Sequence, residues 1–275
     1  MRSWWKTSWQ PITAFFLCAL AYVPTMMWMK IRWFTRDSYY SHGVLVPVVV
    51  AYLIWAKRDK LRPIIQRAEG HIPAGTALII SGLLIHLISS LFRVYFTSGF
   101  SMLVTLIGLL TFFWGFRIVK LLMFPLAFLI FMIPLPSVAI KNISFEMKML
   151  AAAISTDVIR GFDILAVREG STIRMPHANV VVDDVCSGLR SLISLMALGS
   201  LFAYWLTGPV WKRWLLFLFT IPIAVMTNVV RVVFLSLIAE IWGPGAAGGI
   251  IHDISGFGIF AVAFLLLLAV MKLME

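Results

Sequence analysis

Apolar residues form long, nearly uninterrupted runs along the chain, and short polar or charged connectors separate them. An α-helix needs roughly 20 apolar residues to cross about 30 Å of hydrocarbon. The pattern predicts eight membrane spans, at residues 10–29, 42–57, 73–91, 98–115, 118–136, 186–206, 214–239 and 254–272. Pro24 and Pro47 lie within the first two spans and are expected to kink them. We therefore predict an all-α polytopic membrane protein that forms one integral membrane domain over residues 1–275.

The one extended polar segment, residues 137–185, lies between the fifth and sixth predicted spans. Its first part places apolar residues at helical spacing with charged residues between them, which is typical of a helix lying along a membrane surface. Its second part alternates valine and isoleucine with polar residues around two turns, which predicts a β-hairpin. We expect a short extracytoplasmic surface helix and a β-hairpin that lead directly to Cys186.

Composition supports the membrane assignment, because 61% of the residues are hydrophobic whereas soluble domains are about 45–50% apolar. The net charge of +11 comes mostly from connectors, where lysine and arginine set topology. Their distribution predicts that both termini are cytoplasmic and that residues 137–185 lie outside. No aromatic base-stacking platform accompanies the charge, so we expect lipid and not nucleic acid as a partner. The residues counted at the two ends of the first predicted span include Arg2, Lys6, Lys30, Arg32 and Arg36.

The chain has two cysteines, and neither is expected to form a disulfide. Cys18 lies inside the first apolar run, where a cysteine packs like a small hydrophobic residue. Cys186 lies at the outer start of the sixth predicted span. No small-residue cleavage site follows the first apolar run, so we expect it to be a retained helix and not a signal peptide.

Three chemically distinctive residues on different predicted spans lie at similar depth. Cys186 begins the sixth span, and His252 immediately precedes the eighth. Arg231 lies in the seventh span, nine residues before Glu240, and therefore about 13 Å below its outer end. A charge within a span costs several kcal/mol unless it is paired or solvated, so it indicates a functional site. The sequence predicts one outer pocket containing a thiol, an imidazole and a guanidinium.

These three groups suit acyl transfer. A helix N-terminus and a nearby cation lower a thiol pKa, and Cys186 has both the start of its span and Arg190 one turn later. His252 is expected to take the thiol proton and later give it to the leaving amine. Arg231 is expected to stabilise the oxyanion of a tetrahedral intermediate.

Two further polar residues are candidates for supporting roles. Asn228 lies three residues before Arg231, on the same helical face, and is expected either to hold the guanidinium or to line the same cavity. Asp253 is a weaker candidate for orienting His252, because adjacent residues seldom face each other.

Several short stretches, in this order, resemble the exosortase/archaeosortase family of membrane transpeptidases. They are YYSHGVLVPVVVAYLIWAKR with His42, the PLPS turn at 134–137, VCSGLRSL with Ser187 and Gly188, NVVRVV, and HDISGFG. The resemblance covers nearly the whole chain. It places the family triad on Cys186 as nucleophile, Arg231 as oxyanion or carbonyl stabiliser and His252 as acid and base. Histidine at the last position indicates the bacterial branch, and His42 is an additional polar residue without an assigned role.

The resemblance implies a cysteine peptidase or transpeptidase of the bacterial inner membrane, with its active site facing the periplasm. Such enzymes act on exported proteins with a C-terminal sorting tail: a Pro-Glu-Pro-type motif, one membrane helix and a basic cluster. Cleavage through a thioester acyl-enzyme would transfer the protein to a surface acceptor, an amine or a glycan. No cofactor and no metal are expected.

Three other functions are compatible with part of the sequence. The first is a transporter, or a carrier of lipid-linked saccharides, that uses Arg231, Asn228 and His252; the nearly uniform apolarity of the inner span halves argues against it. The second is a metal site in which His42 and Cys186 act with His252 or Asp253, but no HExxH or CxxC motif is present. The third, a structural assembly subunit, would leave the buried Arg231 without a purpose.

Overall fold

The computed structural model of the chain describes residues 9–35 and 38–275. Arg2, Lys6 and Arg36, which entered the topology prediction, lie outside the described residues. The chain divides into two compact units, Met1–Leu135 and Pro136–Glu275. Each unit is described separately below.

The described part of the first unit is helical. Its helices are α1 (Trp9–Ala21), α2 (Val23–Phe34), α3 (Val46–Ala56), α4 (Arg58–Gln66), α5 (Ile72–Leu91), α6 (Tyr95–Trp114), α7 (Phe116–Leu121) and α8 (Met123–Phe128), with 3₁₀ turns at Ser41–Val44 and Leu129–Met132. Helices α1 and α2 meet at 60°, and Pro24 lies in the first turn of α2, so the predicted kink is a break between two helices. Pro47 lies in the first turn of α3 and begins that helix instead of kinking it.

Small and polar side chains bring α5 and α6 together. A Cβ added to Gly82 would lie 2.3 Å from Thr105 Oγ1, so only glycine permits the observed approach. The Tyr22 hydroxyl, at the junction of α1 and α2, forms hydrogen bonds with Ser101 Oγ at 3.1 Å and with Thr105 Oγ1 at 2.9 Å. Small residues and interhelical hydrogen bonds replace the hydrophobic effect as the source of helix association in lipid.

The second unit begins with a long helix and ends with a three-helix bundle. Its elements are α9 (Ser137–Arg160), β1 (Val167–Glu169), β2 (Thr172–Arg174), β3 (Asn179–Val181), a 3₁₀ turn (Asp184–Cys186), α10 (Leu189–Trp205), α11 (Val210–Trp242) and α12 (Gly249–Met274). Helix α9 covers the residues for which a short surface helix was predicted, and its buried Ser155 donates a hydrogen bond to the Val229 carbonyl of α11.

The predicted β-hairpin is a three-stranded antiparallel meander in the order β1-β2-β3. The sequence prediction missed one strand, because each strand is only three residues long and carries little alternation. Ile173 in the central strand is fully buried and pairs with Arg168 on one side and Val180 on the other. The inner face of the sheet packs into the same hydrophobic cluster as Cys186 and Val232 of α11.

The fold class is confirmed as an all-α polytopic membrane protein with one small sheet. Among the described residues, α5, α6, α11 and α12 are long and apolar enough to cross a membrane. The number rises to six if α1 with α2, and Met123–Met132 with Ser137–Arg160, each form one broken span. Two of the eight predicted spans correspond to shorter apolar helices, Ser41–Ala56 and Leu189–Trp205. The number eight is therefore not confirmed.

Candidate active site

A compact turn, which we call the cysteine turn and which spans residues 183–188, carries Cys186 to the start of α10. The Cys186 N–H donates a hydrogen bond to the Asp183 carbonyl at 2.9 Å. Ser187 Oγ donates to the Asp184 carbonyl at 2.7 Å. Gly188 closes the turn with φ of 82°, in the left-handed region that favours glycine. Cys186 therefore lies on a 3₁₀ turn just before the helix and not on the helix itself.

Asn228 of α11 holds this turn from the other side. Its side-chain Nδ2 donates a hydrogen bond of 2.9 Å to the Cys186 carbonyl, and the asparagine is buried. A Cβ on Gly188 would lie 2.7 Å from Asn228 Cγ, so the glycine is also needed for this contact. The sequence predicted that Asn228 holds the guanidinium or lines the cavity; the observed hydrogen bond holds the backbone of the cysteine.

Arg231, one turn after Asn228 on α11, is 9% exposed, and α12 provides its hydrogen-bond partners. Nε donates to Ser255 Oγ at 3.2 Å, and Nη2 donates to the His252 carbonyl at 3.0 Å. Ser255 in turn donates to the same carbonyl at 2.7 Å. Within the described residues Nη1 makes no hydrogen bond. The guanidinium is thus held on one edge and leaves one nitrogen for another acceptor.

Ser255 and Gly256 are residues of this site that the sequence reasoning did not single out. Ser255 lies three residues after His252, so helical spacing places both on one face of α12. A Cβ on Gly256 would lie 3.3 Å from Arg231 Nη2, so the glycine lets α12 come close to the guanidinium. The i, i+3 spacing was the signal that could have identified Ser255.

Cys186 and His252 are in direct contact, because Sγ lies 2.9 Å from Nε2. Arg231 Nη2 lies 3.3 Å from the same nitrogen. Guanidinium only donates hydrogen bonds, and a neutral imidazole has one acceptor nitrogen. When Nε2 is the acceptor nitrogen, the Cys186 thiol and the Arg231 guanidinium compete for its lone pair. Once Nε2 has taken the thiol proton, the imidazolium and the guanidinium can both interact with the thiolate. The geometry therefore permits transfer of the thiol proton to His252 with a permanent cation beside the sulfur.

The pKa of the Cys186 thiol is shifted in the direction opposite to the predicted one. Burial raises this pKa, Arg231 opposes the rise, and the Asp183 carboxylate adds to it. The cation that lowers the pKa is Arg231, in place of Arg190, which lies in the first turn of α10. Desolvation outweighs the nearby charge because it acts on the whole buried sulfur. The resting thiol is therefore protonated at neutral pH and needs a base.

Two other predicted residues, Asp253 and His42, lie in different units of the chain. Asp253 Oδ1 lies 3.6 Å from His252 Nδ1, which is too long for a hydrogen bond, and the aspartate is 80% exposed. His42 belongs to the first unit, where it lies in the turn Ser41–Val44 and stacks on Tyr40 with ring centroids 5.9 Å apart. Its role stays unassigned.

A second contact that the sequence did not predict ties the cysteine turn to α9. Asp184 Oδ1 accepts hydrogen bonds from Lys148 Nζ at 2.9 Å and from Ser144 Oγ at 3.2 Å. The bond from Lys148 is the main cause of a lowered pKa of the Asp184 carboxyl. Lys148 and Ser144 are four residues apart and share one face of the helix. Helix α9 therefore holds the cysteine turn through the Asp184 side chain, and α11 holds it through the Cys186 backbone carbonyl.

Residues 28–269 match a known protein family, that of the transmembrane exosortases. The chain belongs to this family. The match covers nearly the whole chain and includes Cys186, Arg231 and His252, so the resemblance seen in the sequence is confirmed at the level of the family. Family membership supports a membrane transpeptidase role in general terms. Comparisons with curated proteins and with solved structures find no match.

Proposed function

We propose that this exosortase-family protein is a cysteine peptidase or transpeptidase in which Cys186 is the nucleophile. One observation carries the proposal: Cys186 Sγ lies 2.9 Å from His252 Nε2, and the buried Arg231 lies beside both. A thiol, a base in contact with it and a fixed cation are the parts that nucleophilic catalysis uses. The same three groups, on the turn before α10 and on α11 and α12, have no comparable use in a transporter.

The proposed reaction begins with transfer of the Cys186 proton to His252 Nε2. The thiolate attacks the carbonyl carbon of the scissile peptide bond, and Arg231 Nη1 donates a hydrogen bond to the oxyanion that forms. The C–N bond then breaks, His252 gives its proton to the leaving amine, and the acyl group remains on Cys186 as a thioester. An acceptor amine, hydroxyl or water attacks the thioester and transfers its proton to His252. The C–S bond then breaks, and His252 returns the proton to the Cys186 sulfur.

The proposed substrate is an exported protein with a C-terminal sorting tail: a Pro-Glu-Pro-type motif, one membrane helix and a basic cluster. We place the enzyme in the bacterial inner membrane with Cys186 facing the periplasm, and the acceptor, an amine or a glycan, at the cell surface. The family membership and the start of α10 beside Cys186 support this arrangement, because a bond just outside a substrate helix lies at the membrane boundary. A proline-containing motif also stays extended and exposes its backbone for attack.

The test uses a reporter protein that ends in such a tail, co-expressed with the enzyme in a bacterium without exosortases. Wild-type enzyme should shorten the reporter, and added hydroxylamine should capture the thioester as a hydroxamate at the new C-terminus. Cys186→Ala should abolish both products while the protein still inserts. Cys18→Ala is the matched control and should retain activity, because Cys18 lies in α1, outside the unit that holds the site. Cleavage by Cys186→Ala at the wild-type rate would end the proposal.

A further inference from the structure

The free edge of β3 presents backbone groups that the sheet does not use. Hydrogen bonds from Met175 to Ala178 and from Val182 to Ser171 fix the ladder between β2 and β3. Hydrogen-bonded pairs alternate along an antiparallel ladder, so the next such pair is Ile173 with Val180. The N–H and C=O groups of the two residues flanking Val180 therefore point away from β2.

These two residues, Asn179 and Val181, are exposed. Val181 is 52% exposed, although Val180 between them packs against the core. Within residues 9–35 and 38–275, the backbone groups of Asn179 and Val181 accept and donate no hydrogen bond. An exposed strand edge of this kind is a template for pairing with another extended chain.

This edge leads directly to the cysteine turn. Val181 precedes Cys186 by five residues, and Val182 and Cys186 share one hydrophobic cluster. Five extended residues span at most about 18 Å, and a paired strand would run about 4.8 Å from β3. The sheet is also fixed against α11, because the His177 N–H and Nδ1 donate to the buried Glu240 carboxylate. A chain paired with β3 is thereby guided towards the sulfur.

We propose that the segment of the substrate just before the scissile bond binds as a fourth strand along β3. The proposal rests on the function proposed above, in which the residues after the cut continue into the substrate's own membrane helix. The paired residues must then precede the cut, so the substrate runs parallel to β3, which itself runs towards Cys186. In a parallel pair one substrate residue donates its N–H to the Asn179 carbonyl and accepts from the Val181 N–H.

Parallel edge pairing uses the N–H of only every second substrate residue. Prolines are therefore tolerated at the positions that flank the bonded residue, since their missing N–H would point away from β3. A motif of the Pro-Glu-Pro type fits this register when its central residue faces Asn179 and Val181. The backbone, and not a charged pocket, then provides most of the recognition.

Proline substitution tests the edge with a matched control in the same sheet. Val181→Pro removes the outward N–H and leaves the ladder between β2 and β3 intact. Arg168 is the matching residue on β1. Its partner Ile173 directs its backbone groups to β3, so the backbone groups of Arg168 point away from the sheet. Arg168→Pro therefore removes an outward N–H at the opposite edge. Val181→Pro should lower kcat/KM for the tail-bearing reporter at least tenfold, the effect of one hydrogen bond plus the bulk of the ring, and Arg168→Pro should stay within twofold.

A second readout separates lost docking from a distorted site. Alkylation of Cys186 by a small membrane-impermeant maleimide does not use the edge, so Val181→Pro should react at the wild-type rate. If wild-type enzyme cleaves the reporter and Val181→Pro cleaves it equally well, the edge proposal is refuted and the proposed function stands. If the wild-type enzyme itself shows no cleavage that depends on Cys186, the proposed function fails first.

A substrate-side measurement keeps the test decisive if Val181→Pro also alters alkylation. Synthetic peptides that contain the Pro-Glu-Pro motif, with one N-methylated amide each over the residues before the cut, are assayed with unmodified enzyme in lipid nanodiscs. Pairing with β3 predicts sensitivity at alternate positions, and the strongest loss at the residue facing the Asn179 carbonyl. Equal tolerance at every position would overturn the proposal.

Discussion

Replacing Gly188 by alanine should disable the enzyme without unfolding it. The residue has φ of 82°, where an alanine costs about 1–2 kcal/mol. The new Cβ would also lie 2.7 Å from Asn228 Cγ and would displace the side chain that donates to the Cys186 carbonyl. Leaving a buried carbonyl unsatisfied costs about 1–3 kcal/mol. The competent turn is therefore disfavoured by about 2–5 kcal/mol, or at least tenfold in population.

The assay compares reporter cleavage, Cys186 alkylation and thermal stability in detergent for Gly188→Ala and a matched control. Gly170→Ala is that control, because Gly170 also has a positive φ, of 61°, but an added Cβ meets nothing within 4 Å. We expect kcat/KM to fall at least tenfold in Gly188→Ala and to change less than twofold in Gly170→Ala. Both variants should remain monodisperse in detergent, because the strain is confined to one turn.

A double-mutant cycle isolates the contact with Asn228. Asn228→Ala alone removes the hydrogen bond to the Cys186 carbonyl. In Gly188→Ala it also removes Cγ and Nδ2, two of the three atoms nearest the new Cβ, and leaves Asn228 Cβ at 2.9 Å. The loss in the double variant should therefore be smaller than the sum of the two single losses. Additive losses within about 0.5 kcal/mol, or wild-type cleavage by Gly188→Ala, would refute the reasoning.

Three further outcomes follow from the same site. Asp183→Asn removes a carboxylate that raises the pKa of Cys186, so the pH profile of maleimide alkylation, measured in a Cys18→Ala background, should move to lower pH; a shift to higher pH would contradict the assignment. Arg231→Lys loses the planar fork that donates from several nitrogens at once, so kcat should fall at least tenfold while the protein still inserts, and full activity would exclude the oxyanion role. Ser255→Ala leaves the buried Nε of Arg231 without its partner and should cut kcat severalfold with KM little changed, whereas Ser255→Thr should restore it.

The local pattern of the sequence was sufficient for the fold class. Apolar runs predict membrane helices because hydrocarbon demands about 20 apolar residues and satisfied backbone hydrogen bonds, whatever the helices pack against. The helix α9 could be predicted for a similar reason, since helical spacing of apolar residues is a local pattern. The order of Cys186, Arg231 and His252 along the chain was also sufficient to suggest a common site, and the three side chains do lie together.

The breaks in the helices and the partners of the site were decided by tertiary structure. Pro24 separates two helices and Pro47 begins one, and a proline in the sequence does not distinguish these outcomes. Lys148 precedes Asp184 by 36 residues and Asn228 follows Cys186 by 42, so no local pattern could pair them.

The protonation of the nucleophile depends on tertiary structure for the same reason. The sequence shows a cysteine near a helix start and a cation, which predicts a lowered pKa. Burial of Cys186 in a cluster that includes Val232 of α11 raises this pKa instead, because part of the desolvation comes from segments that are distant in the sequence. The sequence by itself determined which chemical groups are present and predicted that three of them share one pocket. Tertiary packing decided that Cys186, His252 and Arg231 are in contact, and that the resting thiol of Cys186 keeps its proton.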